Sequence, residues 1–313
     1  MRSHVMSEPS EIVPDKKWTH YKLWERIKTI FYSLPNHFET ELVIRGINVT
    51  EIFSVGSAFS TVIETQTVTL LNGLRNLWDS DNRYSEYAFV RQSQTFPDVL
   101  LRNLHNESDI LFGIELKSWY VLSKEGEPSF RYQITPEACA AADLLVVIPW
   151  LLSEVISGTP RLLTPYTESA KYTAEYRNYY WQKSRSERGE NSAIHKPPLE
   201  NRHPYPKSKQ HASDEAENDK GGNFGRIARA GILDDYISGI KAQDYLGVRI
   251  THWITFFKAI SETSTDVEID KKLQRLKNQI QAELSENEED NSQYRKTFLE
   301  ILYRFEELWK KKH

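Results

Sequence analysis

Seven apolar residues in a row, 144–150 (LLVVIPW), constrain this chain more than any other stretch. Bounded by Asp143, the run reads as a strand buried on both faces, because a half-exposed strand would alternate polar with apolar. Such a strand needs neighbours on its edges and helices above and below, which points to an α/β fold. Just upstream, Thr135-Pro136-Glu137 has the composition of a helix start, with Thr135 as cap, Pro136 at the first position and an acid behind it. An alanine-rich helix over 136–142 is therefore expected to pack on the sheet and lead into the strand.

Residues 96–119 read FPDVLLRNLHNESDILFGIELKSW, two apolar segments around a polar break. Asn106-Glu107-Ser108-Asp109 has turn composition, so the two halves are expected to pair as a hairpin. In the second strand Glu115 and Lys117 are two residues apart and share a face, while Ile114 and Leu116 point the other way. Asp98, at the start of the first strand, is then placed beside Glu115 across the pair. Two carboxylates and an ammonium converging at a strand edge suit a hard divalent cation and a water. The plain alternative is a surface Glu–Lys pair on an ordinary hairpin, worth about 0.5 kcal/mol.

The remaining chain supplies the surroundings. Leu23, Trp24, Ile27, Ile30 and Phe31 recur at helical spacing and Pro35 ends the run. A short strand is expected over 42–47, then a helix over 57–77 with Val62, Ile63, Leu70, Leu71, Leu74 and Leu77 as its apolar stripe. Glu64 lies in that helix near Ser60 and Thr67, either as a solvated glutamate or as an inward-facing one. After the hairpin come a turn within 122–129, a returning strand over 130–134, a turn at Gly158-Thr159-Pro160, a strand over 161–163 and a helix over 167–183. This last helix carries Lys171, Arg177 and Lys183, followed by Arg185, among Tyr172, Tyr176, Tyr179, Tyr180 and Trp181. Basic and aromatic residues so mixed describe a phosphate-tracking surface, and the aromatic row equally describes a core face.

Between 184 and 222 apolar periodicity disappears and the chain is basic as far as 211, with Arg188, Lys196, Arg202, Lys207 and Lys209. It reads as a mobile arm that orders on nucleic acid, or as a solvated insertion. His195, His203 and His211 fit no zinc spacing. From Phe224 onward the pattern is helical, over 250–260, 266–284 and 294–310, with an acidic turn at 286–290. Three regions result: a core over 17–182, a flexible basic arm over 183–223, and a helical region over 224–313 that packs on the core or on a dimer partner.

The net charge of −4 excludes a generic polyanion binder, so any contact with DNA must come from a local basic surface. Cys139 is the sole cysteine, which removes intramolecular disulfides and Cys-rich zinc sites and fits a reducing cytoplasm. The longest apolar run, 144–152, is too short to span a bilayer, so no membrane association is expected. No secretory signal pattern is visible, and the residues before Met6 read as an added leader. No GxSxG is present for a serine hydrolase.

Pro97-Asp98 followed by Glu115-Leu116-Lys117 resembles the active-site motif of the PD-(D/E)xK nuclease superfamily. The resemblance implies a restriction-endonuclease-like core, a mixed central sheet flanked by helices, here with helical additions. It implies Mg²⁺ held by Asp98, Glu115 and the backbone carbonyl of Leu116, with Lys117 at the attacking water and Glu64 as a further carboxylate from the preceding helix. The activity implied is hydrolysis of double-stranded DNA to 5′-phosphate and 3′-hydroxyl ends. Chain length and additions resemble a type II restriction endonuclease, sequence-specific and homodimeric. DNA contacts would then fall to Lys171, Arg177, Lys183, Arg185, Arg188 and Arg202, with Arg185, Arg188 and Arg202 the candidates for reading guanine. Two alternatives stand beside it: a nuclease subunit of another defence or repair system acting with a partner protein, and a non-catalytic DNA-binding subunit of the same fold.

Overall fold

The structure, a computed structural model, describes residues 7–46, 54–93, 95–208, 210–219, 223–260, 265–286 and 292–312. The protein is α/β, with a mixed central sheet between helices. Helices α1 (Tyr21–Ser33), α2 (Val55–Gly73) and the single turn α3 (Arg75–Trp78) precede the sheet. Strands β1 (Tyr87–Arg91), β2 (Val99–Asn103) and β3 (Ile110–Tyr120) form an antiparallel meander, and β4 (Leu144–Glu154) lies parallel to β3. The far edge of β4 is shared, with β6 (Tyr166–Ser169) along its first half and β5 (Ser157–Leu162) along its second, both antiparallel.

The run at 144–150 is the buried centre of β4, every residue from Leu144 to Leu152 being inaccessible. The expected hairpin is β2–β3, turning at 104–109. Helix α1 buries all five residues of its predicted stripe, and the indole N–H of Trp24 donates to the Ala142 carbonyl at the foot of β4. Helix α2 lies against β3, so close that a Cβ at Gly56 would stand 3.1 Å from that of Tyr120. Its helix stops at Gly73, which leaves Leu77 exposed rather than in the stripe, and Trp78 takes the core position.

Several expected elements differ, and side-chain caps, a sheet edge and partners distant in sequence account for the differences. The helix over 136–142 is a single 3-10 turn, Pro136–Ala138. Cys139 is already extended, and the Ala140 N–H goes to the Asp143 carboxylate rather than to a helix carbonyl. The strand over 130–134 is reduced to one bridge, Ile134 with Ser213, and the neighbouring Thr135 N–H donates to Ala212. Gly158-Thr159-Pro160 lies inside β5, where Pro160 is tolerated because the strand is at the sheet edge. The start of the expected helix over 167–183 is β6, and Ser169 caps the helix proper, α4 (Ala170–Glu187), by accepting the Tyr172 N–H at 3.2 Å. Over 42–47 there is one bridge, Ile44 with Gly158; residue 47, like the leader through Met6, lies outside the described residues.

The segment expected to be a free arm lies against the core. Strands β7 (Ile194–His195) and β8 (Glu215–Ala216) pair, Tyr205 donates to Asp143, and buried Asp214 meets Arg177. Beyond it, α5 (Asp234–Ala242), α6 (Ile250–Ala259), α7 (Asp266–Glu286) and α8 (Ser292–Lys312) form the helical region. Helices α7 and α8 enclose a small apolar cluster of their own, around Leu273, Leu276, Ile280 and Leu302. Trp253 and Phe256 of α6 are half-buried between that cluster and the main core. The expected turn at 286–290 falls almost wholly outside the described residues.

Candidate functional site

The β2–β3 register pairs Val99 with Ile114, so the next step sets Asp98 opposite Glu115. Lys117, two residues along the same face, reaches both carboxylates: its Nζ stands 2.7 Å from Glu115 Oε1 and 3.3 Å from Asp98 Oδ2. Glu115 is wholly inaccessible, while Asp98 and Lys117 keep limited exposure, 22% and 15% of their side chains. The site is therefore reached from solvent through Asp98 and Lys117, with Glu115 buried behind them.

From Glu115 to Tyr120, β3 runs past the end of β2, and its backbone donors on that edge are taken by carboxylates instead of a strand. The Leu116 N–H donates to Asp98 Oδ2 at 3.1 Å and the Ser118 N–H to Glu64 Oε1 at 3.3 Å. In an extended strand the N–H and C=O of one residue lie on the same side. The Leu116 carbonyl is thus directed to the edge where Asp98 and Glu64 sit. Of the two readings of Glu64, the inward-facing one is observed.

Electrostatics follow from this crowding. Burial pushes the Glu64 carboxyl above its ordinary range, Lys117 opposes that and Asp98 adds to it. For the Lys117 ammonium, burial acts to lower the pKa, but Glu115 and Asp98, with Glu64 behind them, outweigh it and the net direction is upward. Held in this way, the ammonium keeps its proton at any ordinary pH.

Two positions not singled out from the sequence hold the site in place. Gly113 lies under the Pro97 ring, and a Cβ there would run into Pro97 Cγ, so only glycine lets Pro97-Asp98 settle onto β3. Asp143 accepts the N–H groups of Gly113 and Ala140, each at 2.7 Å, and the Tyr205 hydroxyl at 3.2 Å. Burial raises its carboxyl to about 6 despite those bonds. An aspartate directly before a fully apolar strand was the available signal for it.

The basic candidates do not form one surface. Arg177 is 3% exposed and structural: it donates to the carbonyls of Tyr132 and Ile134 and pairs with Asp214 at 2.7 Å. Its assignment as a DNA contact is corrected, because its side chain is almost wholly buried and its donors are committed to those partners rather than to an exposed surface. Lys171 lines a cleft with Glu137 and Glu175; Lys183 lies over the Tyr179 ring; Arg202 donates to the Pro197 carbonyl. Arg185 and Arg188 share Glu190 at the end of α4.

Among the described residues no cluster of three or more His, Cys, Asp or Glu side chains is disposed to hold an ion. Two carboxylates and a directed backbone carbonyl are nonetheless a donor set of the kind Mg²⁺ uses, since that ion keeps several waters and takes few protein oxygens. Among the described residues no helix is long and apolar enough to cross a membrane. No family model, curated protein or solved structure matches this chain.

Proposed function

We propose that this protein is a Mg²⁺-dependent endonuclease of the PD-(D/E)xK type that hydrolyses double-stranded DNA at specific sites. The observation that carries the reading is the Asp98–Glu115 pair facing each other across β2 and β3 with Lys117 within 3.3 Å of both. Asp98, Glu115 and the Leu116 carbonyl would hold the ion, which neutralises charge on the scissile phosphate. Glu64 stands where it can orient a water by accepting its hydrogen, as it now accepts the Ser118 N–H.

Lys117 fits a narrower role than the motif alone implies. A general base must first be deprotonated, and in the metal-free site the surrounding carboxylates favour the protonated ammonium. As a fixed cation it suits stabilisation of the charge that builds on the phosphate oxygens. Cutting both strands of a duplex needs two such sites, so the working unit is proposed to be a homodimer.

The test is incubation of plasmid DNA with the purified protein, with Mg²⁺ and with chelator. Discrete Mg²⁺-dependent fragments, absent for Asp98→Ala and Lys117→Ala proteins that keep the wild-type circular dichroism, are the expected result. Full cleavage by Asp98→Ala would sink the assignment, and a gel shift with no cleavage by the wild type would favour the non-catalytic DNA-binding subunit.

A further inference from the structure

The end of α4 and the chain after Asn223 enclose a pocket of about 190 Å³ lined by Arg177, Arg185, Arg188, Arg226, Arg229 and Trp181. Five guanidinium groups around one small space repel one another unless something negative balances them. The carboxylates that pair with them are three: Asp214 with Arg177, Glu190 with both Arg185 and Arg188, and Glu127 with Arg229. Among the described residues an excess of two positive charges remains.

Aromatic contacts hold part of the lining in place. Arg185 lies over the Trp181 ring at 4.1 Å, Trp181 meets Phe224 edge-on at 5.4 Å, and Arg177 lies over the Phe224 ring at 4.8 Å. Three buried donors in this lining have no acceptor among the described residues: Arg185 Nε, Arg226 Nε and the indole N–H of Trp181, a residue only 6% exposed. A buried N–H without a partner is costly, and three in one lining are a donor set that a multi-acceptor ligand would satisfy.

We infer that this pocket binds a phosphate group. Guanidinium forks match the oxygens of phosphate and carboxylate alike, but two surplus charges and three unmatched donors favour a dianion with several equivalent oxygens. The volume is below that of pockets for drug-sized ligands, so it receives the phosphate and leaves the rest of the ligand outside. The phosphate can be that of a small phosphomonoester, which is a dianion, or a strand phosphodiester, which offers the same oxygens with a single charge and balances the site less fully. The inference does not depend on the nuclease reading, since no group of the Asp98 site takes part.

Calorimetric titration of the full chain with inorganic phosphate, in chelator and at constant ionic strength, tests it. One saturable site is expected, weakened at least roughly tenfold in Arg226→Gln and in Arg188→Gln, the loss of one charge-assisted hydrogen bond or ion contact. Arg188 is 57% exposed, so its variant keeps the fold if Arg226→Gln does not. Asp98→Ala should bind phosphate like the wild type. Competition by deoxyadenosine 5′-monophosphate identifies a small phosphomonoester, and competition by a random-sequence duplex with hydroxyl ends identifies a strand phosphate. Absence of saturable phosphate binding, or binding unchanged in Arg188→Gln, overturns the inference whatever the outcome of the cleavage assay.

Discussion

Asp143 shows how much one buried carboxylate can decide. Its folded pKa, about 6, lies above the ordinary aspartate value of 3.8, so between those values the folded chain keeps a proton that the unfolded chain has released. The stability it contributes is complete below the unfolded value and is lost as pH rises through about 6, on the order of 3 kcal/mol in all. Denaturant melts from pH 4 to 7 should contain that decline, and Asp143→Asn should lack it. The amide would also set an N–H donor against that of either Gly113 or Ala140, lowering stability at every pH by about 1–3 kcal/mol. Asp214 makes a second prediction at this scale. Removing it in Asp214→Ala leaves the Arg177 guanidinium buried beside only neutral acceptors, at a cost of roughly 3–5 kcal/mol read as a shift in denaturation midpoint.

Among the elements, those defined by buried apolar pattern were legible, and those defined by a distant polar partner were not. Residues 144–150 and the β2–β3 hairpin declare themselves because burial on both faces, or on one, dictates composition directly. The 3-10 turn at Pro136–Ala138 does not, since what ends it is the Asp143 carboxylate and a chain some seventy residues on. Strand β1 was missed although Tyr87-Ala88-Phe89-Val90 has strand composition, with Phe89 the buried member. Arg177 looked like a surface base within an aromatic helix; its partner Asp214 is 37 residues away, beyond any local pattern. Of the candidate site, the facing carboxylates and Lys117 followed from period-two geometry, whereas Gly113 under Pro97 needed the register in three dimensions. Gly113→Ala is accordingly expected to cost about 1–3 kcal/mol by overpacking and to push Pro97-Asp98 off β3. Its measure is a fall in Mg²⁺-dependent cleavage in protein assayed well below its melting temperature.

For the molecule as a whole, two positively charged features lie on separate parts of the architecture: Lys117 at the β2–β3 edge and the arginine pocket at the end of α4. They answer to different experiments, one catalytic and metal-dependent, the other a binding equilibrium in chelator. On the nuclease proposal, light scattering of Asp98→Ala protein on a cognate duplex in Ca²⁺ should give the mass of two chains per duplex, and one chain per duplex would remove the homodimer. Lys117 carries a last consequence for handling the protein. Because its ammonium already sits among Glu115, Asp98 and Glu64, the molecule brings its own counter-ion to that cleft. Stripping divalent ions during purification should leave the chain folded, with any fall in melting temperature limited to the mass-action contribution of Mg²⁺ binding, and a preparation made wholly in chelator should regain any cleavage activity as soon as Mg²⁺ is returned, with no refolding step.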